Sequence, residues 1–261
     1  MPTPISPLLS LRFGAGEPAT DLACEEMLLE DVRRANRGTD KVWLRSWVGQ
    51  SSVVVGRSQK VGEVVHRESC IESGVGIYRR CSGGGAVLHG EGNLNLSLVL
   101  DREYWKIPLD PKSSFLWCGR FLTDWLSSLG LNTGVGRISD ILAGHESLRK
   151  VSGTAQARRG SALLWHGTLL LRELEEMERF LPIPPDRPGI PHSDYLSNLS
   201  LLGVPQSVAE AEAGWKKSVS TILKREIVEI EPETVFAKVK EFLPNYPNLS
   251  FAPWEEKTLR S

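Results

Sequence analysis

Leu94, Leu96, Leu98 and Leu100 alternate with Asn95, Ser97 and Val99. A period of two predicts a half-buried strand. Other stretches carry a strand signature less regularly. "KVWLRSW" and "SVVVG" are rich in β-branched and aromatic residues and predict two strands with turn residues between them; "GVGIYRR" predicts another. "NTGVGRISDIL", "RKVSGTAQ" and "SALLWHGTLLL" predict further strands joined by loops. Helical spacing takes over elsewhere. Leu22, Met27, Leu28 and Val32 share one side of a helix that runs from a cap at Asp21 to about Asn36, ahead of Gly38. Phe115, Leu116, Leu122, Trp125, Leu126 and Leu129 form the stripe of a second helix, from about Ser114 to Leu129, capped by Ser113 or Ser114 and stopped by Gly130. "PIPPDRPGIP" predicts an extended loop, because proline fixes φ and removes amide donors. From about Ser207 the pattern gives a helix, the strand "EIVEIE" and a helix opened by Pro232. A β-rich middle flanked by helices predicts an α+β fold with a mostly antiparallel mixed sheet. There is no internal repeat or low-complexity linker, so residues 1–261 are expected to form a single domain.

Composition narrows the possibilities. Of 261 residues, 41% are hydrophobic, enough for a substantial core. A net charge of −1 argues against a broadly basic nucleic-acid binder but leaves room for a local anion site. Cys24, Cys70, Cys81 and Cys118 are widely spaced and form no CxxC pair, so they are expected to be reduced thiols. "MPTPISPLLSLRFG" lacks the charged start of a signal peptide, and no apolar run is long enough to span a bilayer. The expected setting is cytoplasmic, with neither nucleic acid nor membrane as partner.

Several segments carry candidate chemistry. In "RRCSGGGAVLHG", Arg79 to Gly90, glycines permit positive φ and close approach of a ligand to the main chain, and successive amides can cradle an anion. Two arginines add fixed positive charge able to grip phosphate. No GK[ST] follows, and the downstream pattern is strand, so neither a Walker A loop nor a dinucleotide fingerprint is present. The plain alternative is a flexible turn with solvated arginines. Lys150, in "RKVSGTAQ", is a compact charge suited to phosphate oxygens or an acyl carbonyl, or else a solvated surface group. His166, Gly167 and Thr168 interrupt an apolar strand, marking either a close approach or a satisfied core histidine. Asp140 is a lone carboxylate that either helps hold magnesium or faces water.

Together, "DLACEE", "VVVGRSQ", "RRCSGGGAVLHGEGN", "GRISD", "KVSGTAQ" and "WHGTLLL" resemble, in order and approximate spacing, the lipoate–protein ligase A family of the biotin/lipoate ligase superfamily. The likeness covers roughly Asp21 to Leu171, most of the family's catalytic domain. It implies that 1–261 is one catalytic domain whose part from about residue 207 is a helix-strand-helix extension. It also implies ATP-dependent activation of lipoate to lipoyl-AMP and transfer of the lipoyl group to a lysine of a lipoyl-domain carrier. Arg80, Gly83, Gly84, Gly85, Ala86, Val87, Leu88 and Lys150 match nucleotide positions. Lys150 would also touch the acyl carboxylate, as the catalytic residue, and His89, His166, Gly167 and Thr168 match the lipoate pocket. Asp140 matches a family aspartate near the adenylate and Mg2+, although "GRISD" carries one more residue before it than the usual GR-Asn-Asp. The chain resembles the short ligases that lack a C-terminal accessory domain and use a separate small subunit. An octanoyl or lipoyl transferase working without ATP, a non-catalytic lipoate-binding protein and, more weakly, a biotin ligase are the alternatives. A transferase needs a nucleophilic cysteine; Cys81 is the only candidate beside the anion site and is expected to be a small space-filling residue.

Overall fold

The computed structural model describes residues 6–12, 16–35, 37–137, 139–172, 177–184 and 187–251. Asn36, Ile138 of "GRISD", and Pro185 and Asp186 of the proline-rich loop lie outside them.

Strand β1 (Leu8–Arg12) precedes helix α1 (Pro18–Arg34), and then come strands β2 (Val42–Trp47) and β3 (Ser52–Val55). Short helices α2 (Val61–Val64) and α3 (Arg67–Glu72) lead to β4 (Gly76–Arg79), β5 (Val87–His89) and β6 (Asn93–Asp101). Helix α4 (Pro111–Ser128) is followed by strands β7 (Asn132–Gly136), β8 (Asp140–Gly144), β9 (Arg149–Arg159) and β10 (Ala162–Leu170). Short helices α5 (Met177–Phe180) and α6 (His192–Tyr195) flank the proline-rich loop, and α7 (Val208–Leu223), β11 (Ile227–Glu229) and α8 (Glu233–Lys240) complete the regular elements.

Eight strands form one sheet in the order β11-β1-β2-β6-β10-β9-β8-β7. It is parallel only where β1 pairs with β11 and β2, and antiparallel at every other step. A second sheet, β4-β3-β5, carries the segments on either side of the glycine run. The expected α+β fold and mostly antiparallel sheet are what the chain forms. β2 and β3, adjacent in sequence, part into different sheets.

β6 is buried along its whole length, not half-buried as its alternation predicts. Its four leucines meet the apolar residues of α4 and α7, whereas Val99 packs with α1. A central strand covered on both faces would normally lose its polar positions. Here Asn95 and Ser97 persist because their face of the sheet carries the site, as shown below.

The helix ends differ from expectation for local reasons. Pro18 opens α1, placing Asp21 inside the first turn rather than at the cap. There the Asp21 carboxylate accepts from Arg45 Nη2 at 2.6 Å, and the Asp21 carbonyl accepts from Arg45 Nη1 at 2.8 Å. α4 starts earlier than its apolar stripe indicates. Asp110, not Ser113 or Ser114, is its cap and accepts from the Ser113 amide at 2.8 Å, with Pro111 at the first helical position. Leu116, placed in the apolar stripe by its spacing, is exposed. The C-terminal helix-strand-helix arises as expected: α7 packs on α4, β11 extends the large sheet and α8 packs on α1.

Arg45 is fully buried, and its guanidinium also lies 3.9 Å from the Trp47 ring centroid. Removing one partner of a buried pair strands the other charge. Asp21→Asn should therefore cost about 3–5 kcal/mol of stability, measured by urea denaturation against wild type.

Candidate functional site

Between the two sheets' glycine-bearing ends lies a cleft of about 350 Å³. Every residue assigned to the site from sequence lines it except Gly83. β4, the loop after it and β5 supply Arg80 and Gly84 to His89; the start of β8 supplies Asp140; β9 supplies Lys150; β10 supplies His166, Gly167 and Thr168.

The glycine run is built around Arg80. Its side chain is buried and donates from Nε to Ser82 Oγ at 2.9 Å. Nη1 donates to the Val54 carbonyl at 3.1 Å, and Nη2 donates to the carbonyls of Gly83 at 2.6 Å and Gly85 at 2.8 Å. Burial pushes its pKa down to about 10, opposed by the charge of Glu25, so it stays cationic at neutral pH. Arg79 likewise donates to the carbonyls of Gly56, Arg57 and Gln59, at 2.9, 3.1 and 2.6 Å. The two arginines are thus held on main-chain carbonyls of β3 and of the loops that follow β3 and β4, not solvated. In trans planar peptides the N–H lies opposite the C=O. With the carbonyls of Gly83 and Gly85 turned to Arg80, the amides of Gly84 and Ala86 point away from it.

Glycine is needed at specific places here. Gly84 has φ +90°, and a Cβ there would come 2.9 Å from Arg80 Nη2. A Cβ on Gly56 would lie 2.1 Å from the Gly84 carbonyl oxygen, inside any tolerable contact. At Gly167 a Cβ would meet Thr154 Cγ2 at 2.9 Å, so the close approach read from sequence is that of the neighbouring strand.

A buried polar chain closes the α1 side of the cleft. Ser82 Oγ lies 2.6 Å from His166 Nε2, and His166 Nδ1 lies 2.7 Å from Glu25 Oε1. The same carboxylate oxygen accepts from Ser97 Oγ at 2.5 Å. Burial pushes the Glu25 pKa up, but His166, Arg45 and Ser97 more than offset this and hold it below its ordinary value. Thr168 Oγ1 donates to Asn95 Oδ1 at 2.9 Å. Asn95 and Ser97 are therefore the polar half of β6 because they face this network. His89 is buried, and burial lowers its pKa to about 4.

On the opposite side, Lys150 Nζ lies 2.7 Å from Asp140 Oδ1 and Arg187 Nη2 donates to Asp140 Oδ2 at 2.9 Å. Both carboxylate oxygens thus already hold a cation. Among the described residues no group of three His, Cys, Asp or Glu side chains is placed to hold a metal. With both oxygens engaged, Asp140 offers no all-protein cage for Mg2+; a Mg2+ arriving with a nucleotide would be held chiefly by its phosphates.

Cys81 is half-buried, and its thiol is pushed up to about 12, first by burial and then by Glu25 and Glu26. Burial raises the thiols of Cys24, Cys70 and Cys118 as well. None is an activated nucleophile. Sequence reasoning left Glu25, Ser82, Trp47 and Arg187 unassigned, although all but Ser82 line the cleft. The trace was there for Glu25: a glutamate pair inside "LACEEMLL", where almost every neighbour is apolar or small.

Fold and cleft define an α+β protein with an anion-suited pocket made of loop amides, a lysine and an arginine. The chain belongs to the lipoyl protein ligase A/B catalytic domain family, whose profile matches residues 17–207. A protein named as a lipoate-protein ligase A from Aeropyrum pernix is 36% identical over 174 residues, covering 67% of this chain and 61% of that one. The lipoate-protein ligase A subunit 1 of Thermoplasma acidophilum is 30% identical over 169 residues, covering 60% of this chain and 62% of that one. The chain thus spans less than two thirds of the length of these relatives. Among solved structures, a bi-partite lipoate protein ligase described with its E2 lipoyl domain from T. acidophilum has a TM-score of 0.75 at 25% identity, covering 98% of each chain. A lipoate-protein ligase A bound with ATP gives 0.73 at 25% identity, covering 97% of this chain and 96% of that one. A T. acidophilum protein with bound lipoic acid gives 0.71 at 26% identity, covering 90% and 95%. Among the described residues no helix is long and apolar enough to cross a membrane.

Two outcomes test the site's construction. Gly56→Ala must push the Gly84 carbonyl out of register, so it should cost about 1–3 kcal/mol of stability, as overpacking does, read by urea denaturation against wild type. His89 is buried neutral, with a folded pKa below its ordinary 6.5. Between pH 6.5 and about 4 the unfolded chain binds the extra proton, so this contribution to stability is present above 6.5 and is lost as pH falls toward 4. His89→Gln should flatten that part of the stability-versus-pH curve in thermal melts.

Proposed function

We propose that this chain is the catalytic unit of an ATP-dependent lipoate–protein ligase. The observation that carries this is that Lys150 and the Arg80-anchored glycine loop line one and the same cleft. The supporting likenesses are to proteins described with ATP, with lipoic acid and with an E2 lipoyl domain.

In the first step a lipoate carboxylate oxygen attacks the α-phosphorus of ATP. The bond to the bridging oxygen breaks and pyrophosphate leaves, giving lipoyl-AMP. The amides of Gly84 and Ala86 and the ammonium of Lys150 are suited to the charge that develops on the phosphoryl oxygens. In the second step the neutral ε-amine of an acceptor lysine attacks the acyl carbon, the carbon–oxygen bond to the phosphate breaks, AMP leaves and the nitrogen gives up a proton. Lys150 then stabilises the carbonyl oxygen as it gains charge. Arg80 fixes the loop rather than meeting the nucleotide head-on, because most of its donors are already held by carbonyls. His89, His166, Gly167 and Thr168 belong to the pocket for the lipoyl group, with Glu25 and Asn95 orienting His166 and Thr168. A transfer without ATP through an acyl-thioester is disfavoured because every cysteine thiol is raised, not lowered. Residues 1–261 serve as one catalytic domain in this reading, assisted by a separate small subunit, as the bi-partite neighbour suggests.

The test is mass spectrometry of an apo lipoyl domain incubated with ATP, magnesium, lipoate and the chain, with octanoate and biotin in parallel. Lys150→Ala should lower the modification rate about a hundredfold or more with the fold retained; an unchanged rate would overturn the assignment. Pyrophosphate release from the lone chain should be slow and should rise when the small subunit is supplied.

A further inference from the structure

The proline-rich loop does more than connect: it delivers a cation into the cleft. Arg187 and Lys150 approach the same carboxylate from two sides, one on each oxygen of Asp140. The Arg187 guanidinium also lies 3.8 Å from the centroid of the Tyr195 ring. Its plane is thereby fixed from a second side. The three side chains are only 14% (Arg187), 9% (Asp140) and 23% (Lys150) exposed, and all line the cleft.

Charge bookkeeping separates these cations from the others. Arg80 and Arg79 are held by main-chain carbonyls. Glu25 is occupied by His166 and Ser97. Lys150 and Arg187 instead share one negative charge, leaving the trio with a net charge of about +1. An ammonium has three N–H donors and a guanidinium five, so one carboxylate oxygen each exhausts neither. The two cations stand apart by a spacing that a carboxylate's two oxygens set, and two oxygens of a phosphoryl group are similarly placed. A planar guanidinium suits such a two-oxygen grip better than a second ammonium would.

We propose that Arg187 is a second phosphate-binding cation of this site, gripping with Lys150 the 5′-phosphoryl group of an adenosine nucleotide, and that Asp140 sets the spacing of the pair. This rests on reading the cleft as a nucleotide site, and it assigns a role to a residue outside the glycine and lysine motifs.

Calorimetric titration of the full chain with AMP, adenosine and pyrophosphate tests it, using wild type, Arg187→Gln and Arg187→Lys. Arg187→Gln should weaken AMP about tenfold, the scale of one charge-assisted hydrogen bond, and leave adenosine unchanged. Arg187→Lys should recover part of the AMP affinity. Three results would overturn the proposal: AMP affinity unchanged in Arg187→Gln, AMP and adenosine weakened equally, or only pyrophosphate weakened. Absence of AMP binding by wild type overturns it too. Lipoylation by wild type is scored separately. If wild type binds AMP and Arg187→Gln does not, while wild type never modifies a lipoyl domain, the ligase reading fails and this one stands.

Discussion

The site depends on a buried guanidinium. A cation taken out of water must have its donors met or the fold does not tolerate it. Arg80 meets that demand with main-chain carbonyls of the small sheet and of the loop that follows β4, Val54 from β3 and Gly83 and Gly85 from the loop. Satisfying the arginine therefore dictates which way three peptides face. The turn at Gly84 requires positive φ, and its carbonyl sits so near Gly56 that no side chain fits there. A glycine in one motif and a glycine run in another are thus parts of a single arrangement, with the arginine as its centre.

The larger sheet supplies the other half. β6 lies at its middle and is buried on both faces, but the two faces serve different ends. Its leucines fill the core under α4 and α7. Its polar positions hold Glu25 and Thr168 in place. α1 contributes to core and site at once, since Leu22, Met27 and Leu28 pack in the second core while Glu25 reaches the His166 ring. A helix with these duties has almost no solvent face in its first three turns, which explains why its charged residues are buried and paired.

Much of this was legible in the chain, and the gaps have physical reasons. Strand and helix existence followed from period, and the glycine, lysine and histidine segments did converge on one cleft. Helix starts were displaced because Pro18 and Pro111 are compatible with the first turn and extend each helix ahead of its apolar stripe. The separation of β2 and β3 into different sheets was not legible, because local pattern carries no partner information. The arginine pair misled most. Sequence presents Arg79 and Arg80 as charge available to a ligand, and only three-dimensional carbonyl positions reveal that the backbone holds them. Arg187 was hidden for the converse reason: it stands among prolines, in a segment whose composition signals only a loop, 47 positions from Asp140.

The two kinds of cation differ in what exchanging their partners would cost. Removing Arg80 from its carbonyls would leave a buried guanidinium without most of its acceptors, so its bonds are not available for exchange with substrate. Lys150 and Arg187 are partly exposed, and they hold a carboxylate at the wall of a cleft. An incoming anion can join them there while every main-chain bond of the fold is kept. The proposed ligation, in which a nucleotide binds and AMP leaves, would use both kinds: one cation that never lets go of the scaffold, and others whose partners can change with each turnover.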